Sequence, residues 1–273
     1  MSAGRIRRRI DAKLSDGRRR GRYGNAIDPL VDGAEAYPAM LDAIEGARSS
    51  VALASYIFHG NGIGERFVEA LVRAVRRGVE VRVLIDDVSD RFSWSSAAKA
   101  LRRAGVPVGI FNPPFIPARL HAIHLRNHRK ILVVDGAVAF TGGLNIDRTY
   151  WGEGASRDLH FRIRGPVVAQ LMEVFAEDWH FAAGEALQGE RWFPGILGHG
   201  DSLARAIEAG PDENIGRLRW AILGGLNAAR RSVRVCTPYF VPDAGLISEL
   251  NAAALRGVEV DILLPERTDL PHV

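Results

Sequence analysis

The segment Arg77-Gly-Val-Glu-Val81 recurs letter for letter as Arg256-Gly-Val-Glu-Val260, and this internal repeat constrains the fold more than any other feature of the chain. Around it, Ser50-Val-Ala-Leu-Ala-Ser-Tyr-Ile-Phe58 is echoed by Ser232-Val-Arg-Val-Cys-Thr-Pro-Tyr-Phe240. The segments before and between these apolar runs also correspond, Tyr37–Arg48 with Leu218–Arg230 and Glu65–Arg77 with Asp243–Arg256. Generic strand–helix–strand units can look alike by accident, but identical residues in register at an offset of about 180 positions mark a duplication. Alternation of helical and strand-like segments points to an α/β fold, a mixed β-sheet flanked by helices, duplicated, with the second copy truncated.

Local patterns supply the elements. Helices are predicted over Glu35–Arg48, over Glu65–Arg77 (apolar Phe67, Leu71 and Val75, then Gly78 as a stop), over Ser95–Ala104 and over Pro166–Trp179. Strands are predicted at Ser50–Phe58, Val79–Asp86, Val106–Phe111, Ile131–Asp135, Val138–Thr141 and Asp158–Arg164. The three prolines between Phe111 and Leu120 read as a loop. Phe111, Phe115 and Ile116 are candidates either for an acyl-chain groove or for covering the sheet end, and the apolar run from Trp192 to Leu197 offers the same two readings. The expected organisation is a disordered basic arm over residues 1–25, a first unit over 26–185, a glycine-rich linker over 186–200 and an incomplete second unit over 201–273.

Charge is unevenly placed. Residues 1–22 hold nine basic side chains against Asp11 and Asp16, so the arm is strongly cationic although the whole chain is only +4. Such a segment buries no core; it serves solubility or attaches electrostatically to anionic lipid or nucleic acid. The lone cysteine, Cys236, excludes an intrachain disulfide and is expected to be a buried strand residue. No apolar run approaches the ~18 residues of a membrane span, and the N-terminus lacks the apolar core of a signal peptide. The expected location is cytoplasmic, at a membrane surface.

The chemistry lies in His128-Arg-Lys130-Ile-Leu-Val-Val-Asp135-Gly-Ala-Val-Ala-Phe-Thr-Gly142-Gly143-Leu-Asn145. His128 and Lys130 are two apart at the entry of a strand and so share a face. A histidine attacks phosphorus to give a covalent intermediate, and a neighbouring lysine holds a phosphate oxygen as a compact cation. The Gly142–Gly143 pair is expected to let backbone approach a ligand, with Asn145 donating an amide hydrogen to the same oxygens. Asp135, at the end of an apolar strand, reads better as an anchor for local backbone than as a substrate contact, though it belongs to the motif. Only three lysines exist, Lys13, Lys99 and Lys130, so chance gives about 0.1 His-x-Lys pairs among eight histidines. A chain that otherwise writes arginine needs a point charge at position 130. His121, His124 and His160 read as loop or surface histidines, and Glu65 as an acidic residue favouring a helix N-terminus.

The pattern His128-x-Lys130-x4-Asp135-x6-Gly142-Gly143-x-Asn145 resembles the HKD signature of the phospholipase D superfamily. The runs Leu125–Lys130, Phe140–Asn145, Arg157-Asp-Leu-His160, Gly165–Val168 and Thr237–Asp243 look like its bacterial cardiolipin synthase branch. The resemblance implies two motifs facing one site, one histidine as nucleophile and the other protonating the leaving oxygen, lysines and asparagines binding phosphate, and neither metal nor cofactor. It implies a catalytic set of His128, Lys130, Asp135, Asn145 and Asp158, the last orienting His128 from thirty positions downstream. It also implies an anionic phospholipid substrate, peripheral contact with the inner face of the plasma membrane, and nucleic acid as the less favoured partner. Transferase and hydrolase chemistry stay open, as does an inactive lipid-binding relic.

His128 follows Val79 by forty-nine positions, and Val258 occupies the matching place in the second unit, so a second histidine is expected near position 307, past Val273. The favoured expectation is a fragment of a two-motif chain. The alternative is a homodimer in which each chain supplies one His128.

Overall fold

The computed structural model describes residues 21–87, 96–112, 126–209 and 216–266. The described residues divide into two compact units, one ending at Ala206 and the other beginning at Ile207. Most of the basic arm lies outside the described residues, as do His121, His124, Phe115 and Ile116.

The first unit is built on eight strands: β1 (Arg22–Val31), β2 (Ser50–Ser55), β3 (Glu80–Asp86), β4 (Val108–Phe111), β5 (Ile131–Val134), β6 (Val138–Gly142), β7 (Leu159–Arg164) and β8 (Ser202–Ala204). They form one sheet in the order β4-β3-β2-β5-β6-β7-β1-β8. The β4, β3 and β2 strands run parallel, and every pairing from β2·β5 outward to β1·β8 is antiparallel, so the sheet is mixed. Parallel neighbours need helical crossovers. These are α2 (Ile63–Arg76) between β2 and β3 and α3 (Ala97–Arg103) between β3 and β4, while α1 (Asp32–Gly46) joins β1 to β2 and α4 (Val167–Ala183) follows β7.

The central strand β2 is buried along its whole length, which explains its unbroken apolar sequence. Its alternate residues serve two cores. Val51 and Leu53 pack with Tyr37, Ile44, Phe67 and Leu71 of α1 and α2. Ala52 and Ala54 face Met172, Phe175 and Trp179 of α4. The two alanines leave room for the large aromatic side chains of that helix.

Three expectations about the chain's organisation change. The strand β1 begins at Arg22, within the segment expected to be disordered. Its Asn25, fully buried, donates from Nδ2 to Ser202 O at 3.0 Å, and its Oδ1 accepts from Val167 N at 2.9 Å. One side chain thus ties β8 to β1 and satisfies an N–H of the first turn of α4. The segment expected to be a linker is packed: Leu187 and Trp192 are buried against α4's core, and Ser50 Oγ donates to Arg191 O at 2.8 Å. Just ahead of it, Arg82 reaches Glu185 with Nε and Nη2 at 2.7 and 2.6 Å and lies over the rings of Trp179 and Trp192. Residues 202–204 belong to the first sheet, so the second unit begins after Ala206 rather than near Asp201.

Within the second unit, α5 (Arg217–Ala228), β9 (Ser232–Cys236), α6 (Ala244–Leu255) and β10 (Glu259–Leu263) follow in order. The repeat is visible atom by atom. Ser50 pairs with Glu80 in β2·β3, and Ser232 pairs with Glu259 in β9·β10, both parallel. Gly78 and Gly257 hold φ of 85° and 82°, the left-handed conformation that ends each helix. Arg77 Nη2 donates to Ile44 O, and Arg256 Nη2 donates to Leu226 O, each at 2.9 Å. Cys236 departs from expectation, being exposed on β9.

Candidate active site

The His128–Lys130 segment enters β5 beside the end of β2, because β5 pairs antiparallel to β2 with Ala54 opposite Ile131. The alternate residues of this segment hold it in place. Asn127 N donates to Asp86 Oδ2 at 2.9 Å, and Asn127 Nδ2 to Asp178 Oδ2 of α4 at 2.8 Å. Arg129 is paired with Asp178 as well. Asn127 and Arg129 therefore face Asp178, while His128 and Lys130 share the opposite side, as their spacing requires.

Lys130 is 7% exposed; its Nζ lies 2.8 Å from His128 O and 3.1 Å from His128 Nδ1. The Tyr56 ring stands 4.5 Å from the His128 ring and 5.2 Å from the Lys130 ammonium, a favourable cation–π placement. When Lys130 donates to Nδ1, that nitrogen is an acceptor and Nε2 carries the proton.

Asn145 is held from two sides. Its Oδ1 accepts from Ile57 N at 3.1 Å, and its backbone oxygen accepts from the buried Tyr37 hydroxyl at 2.5 Å. Fixing the oxygen leaves the Nδ2 hydrogens as the donors of this side chain. Burial pushes the Tyr37 phenol far above its ordinary range, so it stays a donor at any working pH. The same loop is clasped further on, where His59 Nδ1 meets Asp147 Oδ2 at 2.5 Å. Leu144 and Ile146, which flank Asn145, line a small cavity together with Lys130.

The glycine pair has a different purpose from the expected one. A Cβ on Gly142 would stand 2.5 Å from His160 Nδ1 and 2.6 Å from Leu159 O, and one on Gly143 would stand 2.4 Å from Asp158 Oδ2. These glycines make room for the side chains of β7 and its entry. Gly142→Ala is expected to cost about 1–3 kcal/mol, as overpacking does when backbone must shift; denaturant unfolding of the variant checks it, and an unchanged midpoint would contradict it.

Asp158 lies by Gly143 and Lys130 and is not hydrogen-bonded to His128. Burial raises its pKa, opposed by the N–H groups of Leu159 and Gly143 and by Lys130. Burial lowers Lys130 to about 8, with Asp158 working in the other direction. Burial, and then the Lys130 charge, also lowers His128, keeping it neutral at neutral pH.

Asp135 is placed away from this group, at the far end of β5, and the structure corrects its inclusion in the catalytic set. Its carboxylate accepts from the N–H groups of Arg48, Ser49 and Ser50 at 2.7–3.1 Å, and its φ is 52°. It closes the turn into β2, the anchoring alternative raised by its position. His160 departs from the surface reading, being 1% exposed. The signal for it was present: Asp158 and His160 share the i, i+2 spacing of His128 and Lys130. Phe111 is buried in α4's core, on the sheet-covering side of its two readings.

A protein-family model described as "Cardiolipin synthase, PLD-like domain" matches residues 40–179 and 222–273. The cardiolipin synthase of Alkalihalophilus pseudofirmus is 36% identical over 258 residues, which are 90% of this chain and 50% of that protein. That of Geobacillus thermodenitrificans is 36% identical over 246 residues, 88% of this chain and 49% of that protein. The chain therefore spans about half the length of the curated relatives it matches. Among solved structures, phosphatidylserine synthase of Haemophilus influenzae aligns with a TM-score of 0.70 at 16% identity, over 95% of this chain and 66% of that one, a likeness of fold.

Proposed function

The chain belongs to the phospholipase D-like domain family of cardiolipin synthases, and from that membership we propose that it carries a phosphatidyltransferase site that acts on phosphatidylglycerol through a phosphohistidine at His128. The observation that carries the reading is the contact of Lys130 Nζ with His128, with Tyr56 against both and Asn145 held on the adjoining loop.

A phosphate arriving at this group replaces His128 as the partner of Lys130, since an anion is the stronger acceptor. His128 Nδ1 is then free to hold a proton, and Nε2 presents its lone pair. Attack forms the N–P bond and breaks the P–O bond to the glycerol headgroup, whose oxygen leaves with a proton from an opposing acid. The hydroxyl of a second phosphatidylglycerol then attacks phosphorus, gives up its proton, and breaks the N–P bond. The product is cardiolipin and His128 is restored. Asp158, near Lys130, takes up the imidazole N–H when Lys130 has moved to phosphate; apo contacts of this kind tighten in the complex.

The proposed partner is an anionic phospholipid surface at the inner face of the plasma membrane, with the cationic arm as a second attachment. Among the described residues no helix is long and apolar enough to cross a membrane. An opposing acid from a second motif, or from a second copy of the chain, completes the site in this reading.

Vesicles of phosphatidylglycerol test it. Cardiolipin and free glycerol are the expected products; phosphatidic acid alone would make the site a hydrolase. Activity should fall on the alkaline side through a midpoint near 8, as Lys130 loses its proton, because the neutral amine no longer offsets the phosphate charge. A rate still rising across that range would contradict the role given to Lys130.

A further inference from the structure

One buried polar group in the first unit is not used above. Among the described residues His160 Nδ1 has no hydrogen-bond partner, and the residue is 1% exposed. Buried polar atoms are nearly always paired, and a leucine in this place would avoid the penalty of burying one that is not.

The register of the sheet shows what it adjoins. Ile131 pairs with Thr141 in β5·β6, and Gly142 pairs with His160 in β6·β7. Continuing the first register by one residue sets Lys130 opposite Gly142, and Thr141 Oγ1 holds Lys130 O at 2.8 Å at that point. Lys130, Gly142 and His160 thus form one row across three strands, with side chains on one face. The middle member has none, and the imidazole leans into the space over it. Lys130 and His160 line the same small cavity, walled by Met40, Leu53, Leu144 and Ile146.

We propose that His160 is a positioning residue for Lys130, a neutral imidazole set over Gly142 that supports the ammonium from within the sheet and leaves its full charge for the anion bound outside. The proposal rests on the phosphate-binding role given to Lys130 above. At 1% exposure His160 is too deep to serve as a second nucleophile. Among the described residues, four titratable groups face the ammonium: His128 from the strand entry, Tyr56 beyond β2, Asp158 from the entry of β7 and His160 from β7 itself. Only Asp158 is anionic. Burial first, and then the Lys130 charge, hold His160 down to about 4, so it adds no competing charge at neutral pH.

The three lysines of the chain make the test direct, because side-chain NMR of labelled lysine resolves them and Lys130→Met assigns the signal. The wild-type Lys130 signal should titrate near 8. In His160→Leu the polar support is gone, and the midpoint should fall by about one unit, with Asp158 alone left to oppose desolvation; His160→Gln should return it toward the wild-type value. In the reverse direction, Lys130→Met should raise the midpoint of the His160 imidazole, a readout that survives if His160→Leu does not fold. An unchanged Lys130 midpoint in folded His160→Leu, or an unchanged His160 midpoint in Lys130→Met, overturns the proposal, since a merely structural residue would alter thermal stability and leave these titrations in place. The titrations need no substrate. If they shift while phosphatidylglycerol is not converted, the coupling stands and the functional reading fails.

Discussion

Lys130→Arg is expected to lower phosphatidyl transfer by about 100- to 1000-fold while leaving the chain folded, the loss typical of removing one donor to a developing oxyanion. Charge alone would make the change conservative, and the chain uses arginine nearly everywhere else. The surroundings make it otherwise. The Lys130 ammonium is nearly enclosed, close to His128 and beside Tyr56, in the row it shares with Gly142 and His160. A planar guanidinium is wider, directs its donors in a fixed fork, and does not give up its proton in the working range. The alkaline fall in activity should therefore disappear in whatever activity remains. Steady-state rates across pH 6–10 check both statements. A variant within threefold of the wild type would show that the point charge at this position is not needed.

The second large effect concerns stability. Asp135→Ala is expected to cost about 2–4 kcal/mol, because three backbone N–H groups lose a carboxylate acceptor and alanine must hold the left-handed backbone at φ 52°. Asp135→Asn keeps one oxygen acceptor and a residue tolerant of that backbone, so its cost should be about 1 kcal/mol. The comparison separates an anchor from a catalyst. Asn at position 135 should leave the rate of the folded protein near that of the wild type; a loss of more than tenfold in folded Asp135→Asn would return Asp135 to the catalytic set.

Much of the fold was legible because its signals are local. The helix ends at Gly78 and Gly257 follow from a left-handed position that glycine favours, and the shared segment Arg77–Val81 and Arg256–Val260 carried the equivalence of β3 and β10 with it. The His128–Lys130 pair was legible for the same reason, since a spacing of two on a strand decides which side chains share a face. What was missed depends on pairing between distant segments. In β1, Gly24, Asn25 and Pro29 interrupt the strand pattern, and Tyr23 and Ile27 are exposed, so only pairing with β7 and β8 makes it a strand. Gly142 and Gly143 were read as space for a ligand because nothing local shows that His160 and Asp158 lie against them. The depth of His160 follows from the same register.

The most direct test of the central claim is mass spectrometry of the chain quenched during turnover of phosphatidylglycerol. The expected result is a phosphatidyl group on the His128 peptide, present under turnover and absent from His128→Ala, which forms no cardiolipin. A chain that turns over with His128 unmodified, or cardiolipin made by His128→Ala, would contradict it.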